Sequence, residues 1–161
     1  VNLDEVLNSI NDNTGLVVLL NPNSPIGESW SEVEVRKIIE KAKKNNAIVV
    51  IDEAYHYFSP VTFLQCINEY NNVLIFRTFS KMFSIAGCRI GYIVSNGNLI
   101  STIKKASSTY PVNCFAIAFA EKLLENPKIL DDLKEKEKTG REYLLSKLED
   151  SKYEYHFNHG N

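Results

Sequence analysis

Residues 15–56 read GLVVLLNPNSPIGESWSEVEVRKIIEKAKKNNAIVVIDEAYH. Two apolar runs of strand length, 16–20 and 47–51, lie at its ends, each closed by a polar cluster. Short apolar runs bounded by Pro, Asn and Gly read as buried strands. Between them, Ser31-Glu32-Val33-Glu34 has the capping-box pattern, and Val35, Ile38, Ile39 and Ala42 follow at helical spacing. Farther along, NVLIFRTF (72–79) and RIGYIVS (89–95) read as a third and a fourth strand. Strand and helix in alternation indicate an α/β fold with a mostly parallel sheet and flanking helices.

The second half is helical in pattern. LISTIKKASS (99–108) is short and amphipathic, and NCFAIAFAEKLLEN (113–126) sets Phe115, Phe119 and Leu123 on one face, with Ala116, Ala120 and Leu124 beside it. The segment 127–150 opens with Pro at a helix start and runs long. Its middle, KEKEKTGRE (134–142), is polar and holds a glycine, so a solvated or bent stretch is expected. Neither an internal repeat nor a low-complexity tract occurs.

Composition narrows the function classes. The 161 residues suit one domain, and 44% apolar with 24% charged residues is the balance of a soluble globular chain. Net charge is −2 without a basic block, which disfavours nucleic acid or an anionic membrane as partner. No apolar run approaches the roughly 20 residues of a membrane span. Cys66, Cys88 and Cys114 fit neither a disulfide framework nor a C-x-x-C metal clip, so a reduced, cytoplasmic state is expected. The chain lacks an initial Met and stops without a helix cap, so it is expected to be a segment of a longer protein.

In a mostly parallel sheet, ligands bind beyond the carboxyl ends of the strands. Three polar clusters fall there: NPNSPIG (21–27), DEAYH (52–56) and TFSK (78–81). Asp52 closes an apolar run, where an unpaired charge costs several kcal/mol; it suits either a helix N-cap or an acceptor for a protonated ligand nitrogen. Lys81 is inert as an ammonium unless desolvation, from Phe79, Met82 and Phe83, or a nearby cation such as Arg89 lowers its pKa. Arg89 offers a planar fork suited to phosphate, with Thr78 and Ser80 hydroxyls beside it; a surface salt bridge is its plainer use. Tyr55 either points its phenol into the same space or packs among Tyr57 and Phe58. His156 and His159 have metal-ligand spacing but no third ligand nearby. An Asp52/Glu53 magnesium site in a nucleotide-binding module would need a G-x-x-x-x-G-K-[ST] loop, which the sequence lacks.

Together, NPNSPIG, VVIDEAYHYF and RTFSKMFSIAGCRIGY resemble, in collinear order, the motifs of the fold type I (class I/II) aminotransferase family of pyridoxal-phosphate enzymes. YPVNCFAIAFAEKLLEN and the 29-residue step from Asp52 to Lys81 make the histidinol-phosphate aminotransferases the nearest subgroup, with threonine-phosphate decarboxylases beside them. The resemblance implies that Lys81 forms the Schiff base with pyridoxal 5'-phosphate and moves the proton. It implies that Asp52 pairs with the pyridinium nitrogen, that Tyr55 donates to the phenolic oxygen, and that Ser80, Arg89 and Thr78 hold the phosphate. Ser24 stands where the family usually has asparagine, so either Asn23 or Ser24 takes that contact; Asn113 is a candidate near the substrate. It further implies an amino donor and a 2-oxo acid acceptor, a homodimer, a partial large domain over 1–150, and the start of a small domain over 151–161. Decarboxylation of an amino-acid phosphate is the alternative chemistry.

Overall fold

The computed structural model describes residues 2–155. His156, His159 and most of the expected small-domain start lie outside the described residues. The elements run α1 (Leu3–Ser9), β1 (Leu16–Leu20), α2 (Glu32–Lys44), β2 (Ile48–Asp52), α3 (Cys66–Glu69) and β3 (Val73–Thr78). They continue with β4 (Gly91–Val94), α4 (Gly97–Ala106), α5 (Cys114–Glu125) and α6 (Pro127–Glu149).

The four strands form one sheet in the order β1-β2-β3-β4. β1, β2 and β3 are parallel, with Val18 opposite Val50 and Val50 opposite Leu74. β4 returns antiparallel to β3, with Gly91 opposite Thr78. The start of β4 therefore lies beside the end of β3, and all three polar clusters and Arg89 reach the same edge of the sheet.

The predicted capping box forms. Ser31 Oγ accepts from the Glu34 N–H, while the Glu34 carboxylate accepts from the Ser31 N–H at 2.9 Å. This starts α2 so that Val35, Ile38, Ile39 and Ala42 all point inward, fully buried against Val49, Ile51, Val73 and Ile75. Each Val or Ile buried there contributes roughly 1.5–3 kcal/mol, which outweighs helix propensity in holding α2 on the sheet. A second cluster, around Phe79, Phe83 and Ala120 with Leu130 and Leu133 of α6, fixes the helical half beyond the strand ends.

The structure adds to the sequence reading. α1 and the one-turn α3 were not anticipated, while α6 runs long and unbroken through Gly140 with its polar middle largely exposed, as the solvated alternative expects. In α5 the small residues, Ala116 and Ala120, face the core, while Phe115 and Phe119 are 75% and 57% exposed. Alanines allow close helix approach where the rings would not fit, and this selects the buried face.

Candidate active site

β2 delivers Asp52 to the sheet edge half-buried. Its Oδ1 accepts the Ala54 N–H at 3.0 Å, making a turn of the chain rather than a helix N-cap. Oδ2 has no protein donor among the described residues, so it is available to a ligand N–H. The turn leads into a 3-10 segment, His56–Phe58, and places Tyr55 over the site. Lys81 Nζ sits 5.0 Å from the centre of the Tyr55 ring, within cation–π range. The Tyr55 phenol is held below its ordinary pKa, first by hydrogen bonding to Ser24 and then to Lys81, against burial and the Asp52 charge. Asp52, Tyr55, Ser24 and Lys81, from three separate clusters, thus share one space.

Between the two candidates in the first turn, geometry separates the roles. Ser24 faces Tyr55, whereas Asn23 lines a small cleft with Trp30 and Glu34. The turn itself is set by Asn21, which is fully buried. Its backbone N–H donates to Asp52 O at 2.8 Å, and its side chain accepts from the Trp30 N–H and donates to Val61 O. Sequence reading missed Asn21 as a positioning residue.

Ser80 and Arg89 occupy the anion side. Thr78 Oγ1 accepts the Ser80 N–H at 3.1 Å and spends its only proton on Ile90 O at 3.3 Å. Thr78 therefore builds the turn, with its hydroxyl proton directed to Ile90 O in this structure. The Ser80 hydroxyl has no partner among the described residues. Arg89 is exposed, adopts a left-handed backbone (φ 51°), and rests one guanidinium nitrogen, at 3.1 Å, on Ala86 O. The remaining N–H groups of its fork can meet an anion.

Further expectations are corrected. Phe79, Met82 and Phe83 are buried while Lys81 is exposed, so those side chains do not desolvate its amine. Asn113 caps α5, accepting the Ala116 N–H at 2.8 Å, and donates to Cys88 O, beside Arg89, at 3.4 Å. Glu53 is buried and bonded to Arg77 at 2.8 Å, to Thr62 and to the Phe63 N–H. It is not available to magnesium beside Asp52, and no group of three or more potential metal ligands occurs among the described residues. A cavity of about 770 Å³ between the first turn, residues 58–61 and α6 touches none of the site groups.

The donor set fits pyridoxal phosphate. It provides an amine, a carboxylate oxygen without a protein donor, a phenol of lowered pKa and, at the anion end, a hydroxyl beside a guanidinium.

Comparison with known proteins gives the family. The model of the family described as aminotransferase class I and II matches residues 1–160. The histidinol-phosphate aminotransferase of Methanosphaera stadtmanae is 37% identical over 148 residues, covering 92% of this chain and 40% of that protein. Among solved structures, the histidinol-phosphate aminotransferase from Clostridium acetobutylicum superposes with a TM-score of 0.83 at 25% identity, covering 93% of this chain and 46% of that one. The corresponding enzyme from Sinorhizobium meliloti, solved in complex with pyridoxal-5'-phosphate, gives 0.77 at 27% identity over 89% of this chain and 40% of that one. The chain spans about 40% of the length of the curated relatives it matches.

Proposed function

The chain belongs to the class I and II aminotransferase family, and from that premise we propose that it is the central and C-terminal part of the large domain of a pyridoxal-phosphate-dependent aminotransferase. On this reading residues 151–161 enter the small domain, and the full-length protein is a cytoplasmic homodimer. No helix among the described residues is long and apolar enough to cross a membrane. The reaction is exchange of an amino group between an amino acid or amino phosphate, such as histidinol phosphate, and a 2-oxo acid. One observation carries the proposal: Lys81, Tyr55, Ser24 and Asp52 converge at one sheet edge, with Ser80 and Arg89 beside it.

When bound, pyridoxal phosphate supplies an electron sink for the bond broken at the substrate α-carbon. The chain's own residues do the rest. Lys81 Nζ would hold the cofactor and would move the proton at the substrate α-carbon. The Asp52 carboxylate holds a proton on the ring nitrogen. Tyr55, with Ser24 beside its phenol, would donate at the phenolic oxygen. Ser80 and Arg89 anchor the phosphate, so that the ring is oriented before substrate arrives.

The test is steady-state transamination by the full-length protein with pyridoxal phosphate, histidinol phosphate and a 2-oxo acid. Amino transfer that Lys81→Ala abolishes supports the proposal. A protein that stays colourless with the cofactor overturns it, and release of carbon dioxide from an amino-acid phosphate would replace transamination by decarboxylation.

A further inference from the structure

Behind the candidate site lies a buried polar cluster that the proposed chemistry does not use. The Glu53 side chain is completely buried, and its Oε2 accepts from Arg77 Nε at 3.0 Å and Nη2 at 2.8 Å. Thr62 Oγ1 lies 3.0 Å from both carboxylate oxygens and accepts from Arg77 Nη2 at 2.9 Å. The Phe63 N–H donates to Glu53 Oε1 at 2.7 Å. Burial is the largest single influence and works against the Arg77 charge, yet Glu53 and Tyr92 together outweigh it and raise the Arg77 pKa.

The connections are directional, and each leads to a different part of the site. Glu53 follows Asp52, and Tyr55 lies two residues on. Arg77 precedes Thr78, which sets the turn carrying Ser80 and Lys81. Thr62 and Phe63 hold the loop whose Val61 O accepts from Asn21, the residue that orients the turn bearing Ser24. A single carboxylate therefore joins all three ligand-facing segments.

We propose that Glu53, Arg77 and Thr62 are positioning residues that set the Asp52-to-Lys81 geometry for the cofactor, an inference that rests on the pyridoxal-phosphate reading above. Burial alone does not require a charged trio here. A well-packed apolar pair of similar size is often as stable as a buried ion pair, whereas removing one partner strands a buried charge. What an apolar pair lacks is the fork geometry that fixes β2 and β3 in register at their ends.

The experiment uses the full-length protein and two readouts besides turnover: cofactor Kd from the visible absorbance, and induced circular dichroism of the bound cofactor. The double variant Glu53→Leu/Arg77→Met removes both charges together. It is expected to fold but to melt below wild type, because the Phe63 N–H and Thr62 hydroxyl lose their acceptor, and to bind pyridoxal phosphate about 10–100-fold more weakly, as for loss of residues that orient a ligand group, with reduced visible dichroism. Thr62→Val keeps side-chain volume and the ion pair, and is expected to weaken binding by roughly tenfold, the low end for a residue that orients a ligand group, while Thr62→Ser restores it. Wild-type Kd and dichroism in Thr62→Val overturn the inference, even if the double variant fails to fold. A double variant that folds and binds like wild type overturns it too. Wild-type protein that binds no cofactor overturns the parent reading instead, and the inference with it.

Discussion

Replacing Gly91 with Ala tests how the strand pairing delivers Arg89. Gly91 is the first residue of β4, opposite Thr78, and a Cβ built on it would lie 2.8 Å from the backbone oxygen of Arg77. Ordinary contact begins at 3.4 Å, so the start of β4 must retreat by about 0.6 Å. The obstacle is backbone, not a flexible side-chain tip. Forced overpacking of this kind costs about 1–3 kcal/mol. At about 2–4 °C per kcal/mol for a chain of this size, the midpoint should fall by roughly 2–12 °C. The retreat also moves Ile90, whose carbonyl accepts from Phe79 N–H and Thr78 Oγ1, and with it Arg89. Thermal unfolding read by circular dichroism, with a pyridoxal phosphate titration on the same protein, measures both effects. A variant that melts and binds like wild type would refute the claim that close β3–β4 approach positions the guanidinium.

Other outcomes follow from local geometry. Ser31→Ala removes the side-chain half of the capping box at α2, the Glu34 N–H to Ser31 Oγ bond, and should cost about 0.5–2 kcal/mol, seen as a lower urea midpoint with an unchanged m-value. His56 has its pKa lowered, first by burial and then by the Arg77 charge, against the pull of Glu53. The unfolded chain therefore binds more protons, so stability from this group is present above about pH 6.5 and falls as pH drops through the lower folded value. His56→Gln should flatten that part of the stability–pH curve, and an unchanged slope would contradict the assignment.

Much of this architecture is written locally. Val35, Ile38, Ile39 and Ala42 declare the buried face of α2 by spacing alone, and the strands end where Asn21, Asp52 and Thr78 begin the polar clusters. A parallel sheet then makes convergence of those clusters unavoidable. The orientation of β4 was not legible, because Gly-Tyr-Ile-Val carries no signal of direction; it emerges only when residues 79–90 fold back. The Glu53–Arg77 pair was equally hidden, since its partners lie 24 residues apart and meet only after β2 and β3 are in register. Position beside Lys81 also misled: Phe79 and Phe83 are neighbours in sequence but turn into the cluster with Ala120. At Thr78 the hydroxyl proton goes to Ile90 O, a partner twelve residues away that sequence spacing does not reveal.

The central claim is that Lys81 is the amine that carries pyridoxal phosphate. It is tested most directly by incubating the full-length protein with the cofactor, reducing with borohydride, and locating the labelled lysine by mass spectrometry. The account predicts a single label on Lys81 and none after Lys81→Ala. Labelling of another lysine, or label scattered over the surface lysines, would contradict it.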